Sequence, residues 1–361
     1  MKKVCMAILA LCAAFVLAGC SKKEAGNKVL TKENLKVGFV YIGSINDEGY
    51  TQAHDKGRLA VEAMGISTAY VENVAENSDC EKAIRDLIDQ GCNMIFTTSF
   101  GFMDWTLKVA EEFPDVHFAH CSGYKQAVNM CSYFGKVYQA RYLAGIVAGM
   151  NSKSGKIGYV AAFPIPECIR GINAFTLGVQ SVNPNATVEV VWTRTWFDPA
   201  VEKQAALELL NRGCDLLEQH QDTTAPQIAA QEKGALAIGY NVPTPNAAPK
   251  AYLTAPLFNW PVFYTANVQA LLDGKWEGKA YWEGIDQGWV GLDALSALCV
   301  PGTQEAVDVA MESMKAKTFE PFTGPLFDQD GTEKIPSGVM MTDDDIWNMS
   351  WFVKGVIGST N

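Results

Sequence analysis

The chain has 361 residues, of which 48% are hydrophobic and 11% aromatic, enough for two sizeable cores and unlike a disordered protein. It carries 29 lysine and arginine residues against 40 aspartate and glutamate residues, a formal net charge of −11. Because no basic stripe is present to meet a phosphate backbone, this composition argues against nucleic-acid binding.

The first 20 residues have the pattern of a secretory signal. Lys2 and Lys3 precede a short apolar run, and residues 17–20 (LAGC) look like a bacterial lipobox. That resemblance implies removal of residues 1–19 and lipid attached to Cys20. We therefore expect an exported protein, anchored by lipid on the periplasmic or cell-surface side of the bacterial membrane. The alternatives are a plain signal peptide or a membrane helix, but the apolar run is short for a span.

Residues 20–35 are expected to form a flexible tether behind the lipid, since they are rich in Lys, Glu, Gly and Asn. Beyond Cys20 the chain has seven cysteines, an odd number without a CxxC pair. Several stand at apolar strand starts, where a thiol behaves as a small core residue. We expect most of them to be buried and reduced.

The first folded stretch is a predicted strand at 36–42, because parallel strands covered on both faces are apolar throughout. Gly43 and Ser44 end it, and a helix is predicted over 48–64. In such a unit the loop lies at the carboxyl end of the strand, where open α/β sheets bind ligands. Asn46, Asp47 and Tyr50 are therefore the first candidate contacts.

Strand and helix patterns alternate from residue 36 to about 275, which is typical of an α/β fold with parallel sheets. The predicted strands lie near 36–42, 67–72, 93–97, 116–120 and 129–134, then near 156–161, 187–193, 214–218, 235–239 and 250–254. Helices are predicted at 141–150, from 259 to 272, and at 303–317.

Two passages recur at nearly equal spacing. Residues 36–41 (KVGFVY) are echoed 120 positions later by KIGYVA, and 87–95 (LIDQGCNMI) 122 positions later by LLNRGCDLL. In the second passage a helix is predicted to end at a left-handed glycine, Gly91 or Gly213. The repeats predict two similar lobes, 36–145 and 146–275, followed by a tail at 276–361 that completes the lobes and the hinge. Chance similarity is the alternative.

The loops after the predicted strands are rich in aromatic, carboxylate and amide side chains. The later loops are 99–102, 122–124, 163–167, 193–199, 218–224, 240–241 and 259–260. Aromatic rings can stack on the faces of a planar ligand while Asp, Asn and Gln pair with its edge. A purine fits this inventory well, and a sugar fits it too.

Several of these residues also have structural interpretations. Asp198 and Pro199 have the pattern of a helix start. Phe100 and Phe163 could be core residues, and Trp260 could pack between the lobes. No catalytic motif and no zinc-like histidine spacing occurs. We therefore expect a protein that is not an enzyme and needs no metal or cofactor.

With these features in hand, the chain resembles the basic membrane protein family of ABC-transporter substrate-binding lipoproteins, which includes purine-nucleoside receptors. The resemblance covers nearly all of residues 36–357. Its most specific stretches are 43–50 (GSINDEGY), 97–103 (TTSFGFM), 163–167 (FPIPE), 195–199 (TWFDP) and 321–325 (PFTGP). It implies a two-lobed periplasmic-binding-protein fold of type I, monomeric, closing on a ligand that it passes to a permease and ATPase complex.

In nucleoside-binding relatives the base lies between two aromatic rings, and the matching positions here are Tyr50 and Trp196. An acidic pair that contacts the base corresponds to Asn46 and Asp47. Where relatives hold ribose with an aspartate and a basic residue, this chain has Tyr240-Asn241 and then residues 258–260 (FNW). The resemblance therefore favours a free base such as adenine over a nucleoside.

The alternatives are a receptor for a sugar or another polar metabolite, and a surface lipoprotein acting through a protein partner. An enzyme acting on nucleosides is the weakest hypothesis. The full set of candidate ligand-binding residues is Asn46, Asp47, Tyr50, Phe102, Phe163, Glu167, Trp196, Phe197, Asp222, Asn241 and Trp260.

Overall fold

The computed structural model describes residues 29–360, so the predicted signal peptide and the lipidation site Cys20 lie outside the described residues. Within that range the strands are β1 (Lys36–Val40), β2 (Ser67–Val71), β3 (Met94–Thr97), β4 (His117–Cys121), β5 (Met130–Gly135), β6 (Lys156–Ala161), β7 (Thr187–Trp192), β8 (Leu216–His220), β9 (Leu236–Ala237), β10 (Pro256–Phe258), β11 (Ala280–Glu283), β12 (Val290–Leu292), β13 (Leu326–Phe327), β14 (Glu333–Ile335) and β15 (Val356–Ile357).

The helices in the same range are α1 (Tyr50–Ala63), α2 (Ser78–Asp89), α3 (Met103–Glu112), α4 (Val137–Asn151), α5 (Pro166–Val182), α6 (Pro199–Asn211), α7 (Ala225–Glu232), α8 (Trp260–Leu272), α9 (Thr303–Lys315) and α10 (Asp343–Trp347). Short 3₁₀ helices lie at Phe100–Phe102 and Ile285–Gln287. None of the helices between residues 29 and 360 has the length and apolar character to cross a membrane.

Two parallel sheets form the centres of two lobes. The six-stranded sheet has the order β11-β5-β4-β3-β1-β2, and the five-stranded sheet has the order β15-β7-β6-β8-β9. Every pairing in these two sheets is parallel. The predicted α/β class with parallel sheets flanked by helices is therefore confirmed.

Local sequence signals set many of the element ends. Gly91 and Gly213 have φ of 89° and 94° just after α2 and α6, as the predicted left-handed caps require. Asp198 accepts hydrogen bonds from the backbone N–H groups of Ala200 and Val201, both at 3.1 Å, and so begins α6 as predicted.

The predicted strand at 250–254 is not formed as a regular strand. Tyr252 makes one isolated bridge to Ala237, with backbone hydrogen bonds of 2.8 Å joining Ala237 to Ala251 and Leu253. The neighbouring strand β9 has only two residues, so little edge is available for pairing. The opposite edge of this sheet is completed from the tail, by β15 beside β7.

The chain passes between the two sheets three times within the described residues, after β5, between β9 and β11, and between β11 and β15. The tail 276–361 thus adds one strand to each sheet. Helix α8 was expected in the second lobe, within 146–275, but it packs on α1: His54 Nδ1 lies 2.5 Å from the Tyr264 hydroxyl. The return of the chain to the first lobe before Trp260 explains this difference.

Helices α4 and α5 are in backbone contact through glycines. A methyl group on Gly145 would lie 2.1 Å from the carbonyl oxygen of Phe175, and one on Gly178 would lie 2.0 Å from that of Tyr142. Real Cβ atoms do not approach an oxygen so closely, so this crossing requires residues without a side chain. The two helices are therefore packed backbone to backbone.

All seven cysteines between residues 29 and 360 are free thiols, and six of them are buried. This agrees with the prediction that most are reduced core residues. Cys121 is fully buried at the end of β4, where its sulfur lies 3.4 Å from the Tyr50 hydroxyl.

Candidate functional site

A cavity with about 350 Å³ of empty space lies between the carboxyl ends of the two sheets. Its lining residues all stand at or just after the end of a parallel strand, where ligands of such sheets bind. They are Ile42, Tyr50, Ser99, Phe100 and Ser122 from the first lobe, and Glu167, Trp196, His220, Asp222 and Tyr240 from the second.

Four of the candidate residues meet in this cavity: Tyr50, Glu167, Trp196 and Asp222. Tyr50 begins α1, and its hydroxyl donates a 2.5 Å hydrogen bond to the backbone carbonyl of Thr98. This hydrogen bond holds the Tyr50 ring at the cavity wall. The four residues follow four different strands, two of them in the first turn of a helix, so only the fold brings them together.

Trp196 lies in the loop between β7 and α6, which is tied to the loop after β8. The backbone N–H of Asp222 donates to the carbonyl of Trp196 at 3.2 Å. Phe163 supports the indole from behind, with ring centroids 5.1 Å apart, and does not line the cavity. Phe197 is 47% exposed and does not line the cavity.

Asn46 and Asp47 are not among the lining residues. The Asp47 carboxylate accepts hydrogen bonds from the N–H groups of Gly49 (2.8 Å), Thr51 (2.8 Å) and Gln52 (3.0 Å). Orphan N–H groups at a helix start need such acceptors. Asp47 therefore caps α1, while the side chain of Asn46 is exposed.

Phe102 and Trp260 are core residues that do not reach the cavity. Phe102 is fully buried beneath α2 and α3. Trp260 is 1% exposed and lies between the rings of His54 and Phe258, at centroid distances of 4.4 and 4.5 Å. Their aromatic character contributes to packing, which sequence cannot distinguish from ligand stacking.

Asn241 lies behind the site and holds one of its carboxyl groups. It is 2% exposed in a left-handed conformation with φ 69°, and its amide nitrogen donates to Asp222 at 3.4 Å. Burial above all raises the pKa of Asp222 well above its usual range, and the negative charges of Asp47, Glu202 and Glu167 add to the rise. A ligand N–H group that donates a hydrogen bond to Asp222 would offset the repulsion among these carboxyl groups.

The two lobes touch at the cavity mouth. A methyl group on Gly49 of the first lobe would lie 2.3 Å from the backbone carbonyl oxygen of Asp222 in the second lobe. This distance leaves no room for a side chain. The two lobes are therefore in direct backbone contact at this point.

None of the cavity-lining residues is a lysine or arginine. Arg141 is fully buried behind the wall, where its guanidinium lies 4.1 Å from the ring centre of Tyr240 and 2.5 Å from the Glu218 carboxylate. The Arg141 charge is paired with Glu218, so this arginine does not offer a free cation to the cavity. The site suits a neutral ligand rich in hydrogen-bond donors and does not suit a phosphate.

The candidate set missed His220 and Tyr240, together with Ile42, Ser99, Phe100 and Ser122. His220 is the last residue of β8, inside a loop that the sequence identified as polar. Position was the signal that could have found it, since residues at the ends of parallel strands face the ligand edge. Burial above all lowers the pKa of His220 to about 4, with Arg141 adding to the effect, so the ring is neutral near pH 7.

Residues 34–317 match the model of a protein family described as ABC transporter substrate-binding protein, PnrA-like. A purine-binding protein of Brucella abortus is 40% identical over 352 residues, covering 97% of this chain and 98% of the relative. A Haloferax volcanii protein, provisionally named as an ABC transporter glucose-binding protein, is 37% identical and covers 90% of this chain and 81% of its own length.

Solved structures agree on the fold. ABC transporter solute-binding proteins from Aeropyrum pernix superpose with a TM-score of 0.71 at 17% identity, over 79% of this chain and 92% of theirs. At this identity the likeness concerns the fold alone. The two parallel sheets with a cleft between them are the type I periplasmic-binding-protein fold.

Proposed function

Because this chain belongs to the family of PnrA-like ABC transporter substrate-binding proteins, we propose that it captures a purine between its lobes, a free base such as adenine in preference to a nucleoside. Members of this family are solute-binding proteins and not enzymes, in agreement with the missing catalytic motifs. The role implies a small-molecule ligand and a permease and ATPase complex that receives it.

The observation that carries the proposal is the composition of the cavity wall. Tyr50 and Trp196 supply aromatic rings from opposite lobes, while Glu167 and Asp222 supply carboxyl groups. Base stacking on aromatic side chains contributes about 1–3 kcal/mol per base. Carboxyl oxygens accept the N–H groups of a purine edge, which a buried base must pair. The purine-binding relative at 40% identity supports the same ligand class.

Preference for a base is supported by the absence of charge where ribose would need it. Asn241 directs its amide to Asp222, and Asn259 donates its amide to the backbone carbonyl of Gly288 at 3.0 Å. Neither offers a free charged group.

A sugar is the second candidate, because a relative at 37% identity is provisionally named for glucose binding. Aromatic platforms and carboxylates also bind hydroxyl-rich rings. The purine is favoured here because two rings line one small cavity from opposite lobes, which suits a flat ligand with two stacking faces.

The deciding experiment is mass spectrometry of small molecules released by denaturing the purified protein. Calorimetric titration of the unloaded protein would follow, with adenine, hypoxanthine, guanine, adenosine and glucose. We expect adenine to bind more tightly than adenosine. Tighter adenosine binding would overturn the preference for the base, and glucose binding without purine binding would overturn the purine.

We also propose that the mature protein is a monomer, exported and held at the membrane by lipid on Cys20. The lipobox at 17–20 supports the anchor, and proteins of this transport class work in the periplasm or outside the cell. A single acyl chain binds a protein to the membrane only marginally, whereas two acyl chains anchor it stably. The Cys20→Ser protein should move from the membrane fraction to the soluble fraction; retention on membranes would contradict the lipid anchor.

A further inference from the structure

His220 has a position in the cavity that no other histidine shares. All four histidines of the chain lie within residues 29–360, and only His220 lines the cavity. Its side chain is 2% exposed, and its ring packs edge-on against Tyr240 at a centroid distance of 4.9 Å. The ring of Trp196 is 6.1 Å away. His220 thus stands beside the aromatic group proposed to stack on the ligand.

The two ring nitrogens of His220 have different surroundings. Nε2 lies 3.5 Å from Glu167 Oε1 and 3.4 Å from the Tyr240 hydroxyl. Nδ1 is buried and has no hydrogen-bond partner within the protein. Buried polar atoms are normally paired, so an unpartnered nitrogen on a cavity-lining side chain leaves a place for a partner from the ligand.

Glu167 decides which nitrogen carries the hydrogen. A carboxylate oxygen accepts hydrogen bonds, so the pairing of Nε2 with Glu167 Oε1 assigns the ring hydrogen to Nε2 and leaves Nδ1 with a bare lone pair. Burial lowers the pKa of His220 to about 4, although Glu167 acts in the opposite direction. Near pH 7 the ring therefore has a single hydrogen, and Nδ1 is an acceptor.

We propose that His220, held in one tautomer by Glu167, is a specificity-determining residue whose Nδ1 accepts a hydrogen bond from an N–H group of the bound purine base. This inference rests on the proposed function. A base that presents a carbonyl oxygen or an unprotonated ring nitrogen at this point would set two lone pairs against each other. The site then rejects it by repulsion as well as by the missing bond.

The test is a set of double-mutant cycles between protein and ligand. His220→Gln keeps a polar group for Glu167 but has no acceptor at the Nδ1 position, whereas His220→Asn places an amide oxygen near it. Each protein is titrated calorimetrically with adenine, 9-methyladenine and N6,N6-dimethyladenine. The two analogues lack, respectively, the ring N–H and the amino N–H groups. Folding of every variant is checked by thermal unfolding.

We expect His220→Gln to lower adenine affinity about tenfold or more, the usual cost of leaving a buried group unpaired. For one of the two analogues the loss should largely vanish, because that analogue has no N–H to give. His220→Asn should recover part of the adenine affinity. His117→Gln is the matched control: Nδ1 of His117 is also unpartnered but lies outside the cavity, so affinity should not change.

An equal loss for all three ligands would overturn the inference, since His220 would then act only by shape. Unchanged adenine affinity in both His220 variants would overturn it as well. A wild-type protein that binds no purine would defeat the proposed function, and the inference with it. That result is recorded before any variant is made, so the two failures are distinguishable.

Discussion

Trp196 and Phe197 are neighbours in the chain but have different surroundings. Trp196 lines the cavity, whereas Phe197 is 47% exposed outside it. We predict that Trp196→Ala weakens purine binding by roughly 1–3 kcal/mol, the usual contribution of a stacked base. Calorimetric titration measures the change, with Phe197→Ala as the control that retains affinity. An unchanged Trp196→Ala protein would remove this ring from the site.

Glu202 gives the second lobe a pH-dependent stability. It is fully buried on α6 and accepts hydrogen bonds from the Thr223 hydroxyl at 2.5 Å and the Asp198 N–H at 3.0 Å. Burial raises the pKa of Glu202 from the usual 4.5 to about 7. The folded protein thus binds this proton more tightly than the unfolded chain does, and stability falls as the pH rises from about 4.5 to about 7.

We predict that Glu202→Gln removes this loss because its amide stays neutral. When the pH is raised from 5 to 8, the wild type should lose about 2 kcal/mol more free energy of unfolding than the variant does, since one pKa unit corresponds to about 1.4 kcal/mol. Urea unfolding at both pH values measures the difference. Glu208→Gln, exposed on the same helix, should follow wild type; a parallel pH profile for Glu202→Gln would contradict the prediction.

At the scale of elements, the contact between α4 and α5 is the most demanding packing in the second lobe. Gly178 lies so close to α4 that a methyl group would be 2.0 Å from the Tyr142 carbonyl oxygen. We predict that Gly178→Ala lowers the free energy of unfolding by about 1–3 kcal/mol, the usual cost of overpacking. This loss should exceed the gain of up to about 1 kcal/mol in helix propensity.

The control for Gly178→Ala is Gly291→Ala, because a methyl group on Gly291 would meet nothing within 4 Å. Its free energy of unfolding should stay close to the wild-type value. Equal stability of the two variants in urea unfolding would show that the helices can move apart without cost.

Most elements could be predicted because their signals are local. The apolar runs of β1 and β6, the capping carboxylate of Asp198 and the left-handed glycines at 91 and 213 act within a few residues. The strand expected at 250–254 failed because strand formation depends on a partner edge, and β9 offers only two residues. Pairing partners are not visible in a local pattern.

At the scale of the whole molecule, Gly49 of the first lobe lies against the backbone of Asp222 in the second lobe. We predict that Gly49→Ala weakens ligand binding about tenfold or more, because a methyl group 2.3 Å from the carbonyl oxygen strains the closed state. Small-angle scattering should show the compaction on ligand addition in wild type and less of it in the variant. Gly291→Ala should behave as wild type, and full closure of Gly49→Ala would contradict the prediction.

Four of the ten cavity-lining residues were in the set that the sequence predicted. Tyr50, Glu167, Trp196 and Asp222 line the cavity as expected of loop residues at strand ends. Asp47 is instead engaged by three backbone N–H groups at the start of α1. The direction of a side chain in a loop depends on such competing partners, which are set by neighbouring elements.

The sequence by itself determined the alternation of strands and helices, the parallel sheets and the edge of the sheets at which the cavity-lining residues gather. These follow from short-range periodicity and from the geometry of parallel strands. Only the tertiary structure decided that Trp260 is core, that His220 faces the cavity and that the tail adds a strand to each sheet. Each of these depends on contacts between segments far apart in the chain, and no local pattern encodes which distant surfaces will meet.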